Sequence, residues 1–249
     1  MESERCIMLK LHIPEPNDSR IIVALDFPEV KQALDFTKNI DPDECCALKI
    51  GKELFVAGGP QVVEDIKALG FDIFLDLKFH DIPNTVAGAI RAAARLDVWM
   101  VNVHASGGRK MMEAAVNAVK GISHPPLIIG VTVLTSLDQD DLLEVGIDCA
   151  PIYLAKRLAQ LTRECGLDGV VASGKEAKVI RLDCGNEFLI VTPGIRLNGG
   201  DADDQARIVT PEMAIKSGAN YLVVGRPITQ AADPNLALSA FNSMVRLAL

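Results

Sequence analysis

From Arg20 to the C-terminus the chain alternates, eight times over, between a short apolar run rich in Val, Ile and Leu and a longer stretch with helical spacing. Strands buried on both faces read as near-continuous apolar runs, and parallel strands need a crossover of about a dozen residues or more, usually a helix. Eight consecutive units of this kind predict a (β/α)8 TIM barrel, because an open doubly wound sheet seldom runs so regularly. The 249 residues suit one such barrel. We therefore expect a single catalytic domain at 20–249 preceded by an N-terminal extension at 1–19, where Glu2, Glu4, Lys10, Pro14 and Pro16 interrupt any apolar run.

The predicted strands are Arg20–Asp26, Ala47–Gly51, Phe71–Phe79, Val98–His104, Leu127–Leu134, Gly169–Ser173, Phe188–Arg196 and Tyr221–Arg226. Helices are expected from Pro28 to about Ile40, Gly59 to Leu69, Thr85 to Leu96 with Asn84 or Thr85 as cap, after Gly107-Gly108 to about Val119, Ile152 to Cys165, Lys175 to Leu182, Pro211 to Ser217 and Asn235 to Leu249. An acidic segment with Asp138, Asp140 and Asp141 follows the fifth strand. Leu197 to Gln205 is turn chemistry without apolar period, which suits a lid.

A net charge of -8 and a pI near 5.1 argue against a nucleic-acid partner. The six cysteines show neither Cys-x-x-Cys pairs nor metal-ligand spacing and read as reduced thiols. No signal peptide or bilayer-length apolar run is evident, so a soluble, cytoplasmic protein without a membrane partner is expected.

The chemistry concentrates in the third strand, where residues alternate between faces and Asp76 and Lys78 share one face, with Asp81 in the loop beyond. A structural ion pair is the bland interpretation; three charges within six residues exceed what pairing one strand end requires. If the barrel is right, its C-terminal face also collects Asp26, Lys49, Thr135, Thr192, Gly194, Arg196, Gln205, Gly225 and Arg226. Glycines beside arginines after strands seven and eight suit a phosphate, which bare N–H groups approach closely and guanidinium forks bind bidentately. At the other end, Lys49, Asp76, Lys78 and Asp81 alternate in sign, an arrangement that keeps a lysine protonated beside a developing negative charge. Carbanion chemistry fits that array.

These residues carry a resemblance. Asp76-x-Lys78-x-x-Asp81-Ile82-Pro83-x-Thr85, Val191-Thr192-Pro193-Gly194-Ile195-Arg196 and Val224-Gly225-Arg226-Pro227-Ile228 are together similar to the orotidine 5'-phosphate decarboxylase family, over about Ile22 to the C-terminus. The resemblance implies cofactor-independent decarboxylation of orotidine 5'-phosphate, with no metal and no cofactor. By it, Lys78 is the acid that protonates C6, Asp76 faces the substrate carboxylate, and Asp81 completes the array from the neighbouring subunit of a homodimer. Lys49 and Asp26 would hold ribose hydroxyls, Thr85 would serve the partner's site, and Thr135 would lie against the pyrimidine. Arg196, Arg226 and Gly225 would bind the phosphate, and Gln205 would reach over from the lid.

His80 and His104 invite a metal but lack a dense ligand motif, so structural histidines are expected; Lys52 reads as solvated and Cys45-Cys46 as packing. Two rivals stay open: a magnesium-dependent sugar-phosphate decarboxylase or synthase on a related barrel, and a non-catalytic phosphate-binding barrel. The second has no need of the lysine and both acids.

Overall fold

The computed structural model describes residues 14–15, 18–197 and 209–249. Eight parallel strands close in sequence order: β1 Ile21–Ala24, β2 Ala47–Gly51, β3 Ile73–Phe79, β4 Met100–His104, β5 Leu127–Val131, β6 Gly169–Val171, β7 Leu189–Thr192 and β8 Tyr221–Val224, with β8 pairing back onto β1. The expected (β/α)8 barrel is the observed one.

Alternation along each strand separates two cores. Ile21, Val23 and Leu25 face the surrounding helices, while Ile22 and Ala24 join Phe74, Met100, Ile129, Val191 and Tyr221 inside the barrel. The inward positions turn polar towards the C-terminal ends: after Ala47 comes Lys49, after Phe74 comes Asp76, and after Met100 comes Asn102. A charged layer thus caps an apolar plug. Filling the lower barrel with side chains leaves the upper mouth for a ligand.

Several boundaries differ from the expectation for identifiable reasons. The second crossover holds two helical pieces rather than one: residues 52–58 form a first piece, Gly59 at φ 60° and ψ -158° ends it, and Pro60 opens the helix expected from about Gly59, which runs to Lys67. Neither Asn84 nor Thr85 caps the helix after β3. Ile82 takes the cap position, and Pro83, whose fixed φ suits the first helical turn, opens a helix to Arg95. Strands five and seven stop at Val131 and Thr192, earlier than their apolar sequences, and Arg226 leaves β8 to begin a short helix, Arg226–Thr229. The acidic segment after β5 is itself a helix, Gln139–Glu144, started by a capping box in which Asp138 and Asp141 exchange side-chain and backbone bonds.

Candidate active site

Side chains from β2, β3 and the segment just after β1 form a chain of alternating charge at the mouth. Lys49 Nζ lies 3.0 Å from Asp26 Oδ1 and 3.4 Å from Asp76 Oδ2, and Lys78 Nζ lies 2.6 Å from Asp76 Oδ1. The two inner members are withdrawn from water, with Lys49 and Asp76 side chains each 10% exposed, whereas the Asp26 side chain is 62% and Lys78 26% exposed. The array therefore opens at both ends and is sealed in the middle.

Burial and charge compete at the sealed centre. Burial by itself raises the Asp76 pKa, but Lys49, Lys78 and hydrogen bonds from Lys78 and Asn102 outweigh it and hold the carboxyl below its ordinary range. Lys49 is the mirror case: burial lowers it, and Asp76 and Asp26 more than compensate, leaving the ammonium favoured. Both groups stay charged at neutral pH.

Asn102 was not among the residues picked from sequence. It is fully buried on β4, donates from Nδ2 to Asp76 Oδ1 at 2.6 Å and accepts the Lys78 backbone N–H at Oδ1 at 2.8 Å. The available signal was an amide inside an otherwise apolar strand, since a buried polar group needs partners.

The other expected residues fall around this centre. Gly225 follows β8 beside Asp26, so close that an added Cβ would lie 3.6 Å from Asp26 Oδ2. Arg226 comes next and is half-buried. Arg196 is half-buried beyond β7, where its backbone N–H bonds to Val209 O at 3.2 Å, joining the two sides of the segment 198–208. Thr135 is half-buried in the loop after β5. Gln205 and the lid it was expected to carry lie outside the described residues, except Leu197. Asp81 is not brought to Lys78 within this chain: it is exposed, and its Oδ1 accepts the N–H of Ile82 at 2.6 Å. Thr85 is exposed on the same edge, and Ile82 between them is 67% exposed.

The histidines meet each other, with rings tilted by 37°, rather than converging on acids. His80 and His104 have ring centroids 5.4 Å apart, and among the described residues no group of three or more His, Cys, Asp and Glu side chains could hold a metal. Burial, with His80, Lys52 and Lys78 adding repulsion against Asp76, lowers the His104 pKa to about 4. As pH falls from about 6.5, the ordinary histidine value, the unfolded chain takes up a proton that folded His104 refuses. Stability should therefore drop between about pH 6.5 and pH 4. His104→Gln removes this contribution, so its urea midpoint should fall less than wild type between neutral and mildly acid pH; equal losses would show that His104 is not the source.

The Orotidine 5'-phosphate decarboxylase / HUMPS family model matches residues 19–241, which span the whole barrel and every charged residue just described. The chain belongs to that family. Within the orotidine 5'-phosphate decarboxylase / HUMPS family, the protein named orotidine 5'-phosphate decarboxylase from Nitrosomonas europaea is 58% identical over 229 residues, 92% of this chain and 98% of its own. Its namesake from Hydrogenovibrio crunogenus is 55% identical over 228 residues, covering 92% and 96%. The crystal structure of orotidine 5'-phosphate decarboxylase from Lactobacillus acidophilus superposes with a TM-score of 0.81 at 36% identity, over 92% of this chain and 99% of that one. In each of these comparisons the match covers more than nine-tenths of both chains.

No described helix is long and apolar enough to cross a membrane.

Proposed function

We propose that the chain decarboxylates orotidine 5'-phosphate to uridine 5'-phosphate, a step of pyrimidine nucleotide synthesis carried out in the cytoplasm without a cofactor. The observation that carries this reading is the Asp26–Lys49–Asp76–Lys78 array, fixed at the barrel mouth with its terminal ammonium turned towards the opening. The names of relatives at more than half identity support the same reaction.

The reaction breaks the bond from C6 to the carboxylate and leaves its electron pair on C6 as a vinylic carbanion. That pair lies in the plane of the pyrimidine, orthogonal to its π system, and no cofactor serves as an electron sink, so fixed positive charge beside C6 must stabilise it. Lys78 supplies the charge and then the proton. Asp76 faces the departing carboxylate while pairing with Lys78 at 2.6 Å; Lys49 and Asp26 receive the ribose hydroxyls, for which the Asp26 carboxylate is exposed. Thr135 lies against the pyrimidine. Arg196, Arg226 and the Gly225 backbone hold the phosphate, with Gln205 closing from the lid. Two copies form a homodimer in which Asp81 and Thr85 enter the partner's site, a role suited to residues on an exposed edge.

A spectrophotometric assay following loss of orotidine 5'-phosphate, with and without a chelator, tests the reaction directly. Turnover indifferent to chelator is expected; absence of turnover would overturn the proposal, and turnover that the chelator abolishes would favour the magnesium-dependent alternative. The phosphate grip makes a second prediction. Hydrogen bonds to charged groups are worth about 1.5–3 kcal/mol, so Arg226→Ala should lower kcat/KM by about ten- to a hundred-fold. Because phosphate binding also organises the closed site, kcat should fall along with the rise in KM. A change confined to KM would show that phosphate binding and site organisation are uncoupled.

A further inference from the structure

Along β3 the ladder to β4 pairs Leu75 with Val101 and next Phe79 with Val103, so β3 advances twice as far as its neighbour. The surplus bulges outward from the ladder. Lys78 absorbs the distortion at φ 51°, the left-handed region that a residue with a Cβ keeps only when its surroundings hold it there. Its backbone N–H, displaced from regular pairing, is received by Asn102 Oδ1 at 2.8 Å. The other end of the same carboxamide donates to Asp76 Oδ1 at 2.6 Å, the oxygen that also receives Lys78 Nζ at 2.6 Å.

These bonds close a ring: Asn102 to the Lys78 backbone, along the Lys78 side chain to Asp76, and back to Asn102. Only a group with a donor and an acceptor side by side can close it. Asparagine offers both, whereas an ionised aspartate of the same shape keeps the acceptor and loses the donor. The buried carboxamide is thereby committed at both ends.

We propose that Asn102 is a positioning residue for the reaction, locking the bulged backbone of Lys78 to the Asp76 carboxylate and so fixing where the Lys78 ammonium points. This inference rests on the decarboxylase reading above. A merely structural asparagine would affect how much protein folds, without altering the chemistry at each folded site.

The test compares wild type, Asn102→Asp and Asn102→Ala. Titration with uridine 5'-phosphate by calorimetry counts intact sites, and steady-state rates with orotidine 5'-phosphate are taken across pH. In both variants kcat per intact site should fall at least about tenfold while KM changes by less than about threefold, the signature of an interaction needed in the transition state. The acid limb of kcat should move to higher pH, because Asp76 loses a donor that favours its anion. If Asn102→Ala does not fold, the isosteric Asn102→Asp decides alone. An Asn102→Asp protein with kcat per intact site within about twofold of wild type and an unmoved acid limb overturns the role. A wild type that does not consume orotidine 5'-phosphate overturns the reaction instead, so the two failures are distinguishable.

Discussion

Lys78→Ala should leave a folded protein with almost no turnover. Loss of a general acid alone removes about 10²- to 10⁴-fold, and loss of the fixed charge facing C6 adds to that. The fold should survive because the substitution does not strand a buried charge: Asp76 keeps Lys49 at 3.4 Å and Asn102 at 2.6 Å, and Lys78 is the more exposed of the two lysines. Removing Asp76 would be different, since it would leave Lys49 buried with only Asp26 beside it, and breaking a buried pair costs about 3–5 kcal/mol. Lys78→Ala therefore separates chemistry from stability where Asp76→Ala would not. Matching thermal transitions with a residual rate above about a tenth of wild type would remove Lys78 from its role.

Mixing two inactive proteins should restore activity. Asp81 is exposed and accepts the backbone N–H of Ile82, while Lys78 is paired with Asp76, so one chain does not complete the array with Asp81. If Asp81 serves the partner's site, a dimer of Lys78→Ala with Asp81→Ala carries both lesions in one site and leaves the other whole. Random exchange of equal amounts should return about a quarter of the wild-type rate per total subunit, by the twofold symmetry of the dimer. Recovery of tagged with untagged chains shows that exchange has occurred. With exchange established, a mixture that stays inactive would place Asp81 in its own subunit's site.

What could be read from the sequence followed the strength of local patterns. β3 was legible almost to the residue, because its alternation puts Asp76 and Lys78 on the face that also carries Phe74 into the barrel. The strand ends were less so: Thr132 and Val133 remain buried after β5 has ended, so an apolar run outlasts the ladder it was taken to mark. Gly58-Gly59-Pro60 did mark a break, since Gly59 is non-helical at φ 60° and ψ -158°; what escaped the reading was the short helical piece at 52–58 before it. Asn102 escaped notice for a different reason. Its importance lies in the register shift between β3 and β4, a relation between two strands that no single-strand period records. The exposed Asp81–Thr85 edge shows the converse, since its residues were singled out only by resemblance and the single chain gives them little to do.

The seam of the barrel divides the site by the moment at which each part can exist. Lys49, Asp76, Lys78 and Asn102 lie on the consecutive strands β2, β3 and β4, so the charged array needs only neighbours in sequence. Asp26 and Gly225 meet where Ile22 pairs with Val223 and Val23 with Val224, the first strand against the last. Such a distant pairing forms late, because the entropy of closing the whole chain opposes it. During synthesis, Gly225 and Arg226, proposed to hold the phosphate, therefore join Asp26 only after β8 has left the ribosome, while the array from Asp26 to Lys78 can already be in place. Ligand binding at this seam in turn clamps the first and last strands together, so occupancy should protect the backbone amides of β1 and β8 from hydrogen exchange more than those of β5 and β6.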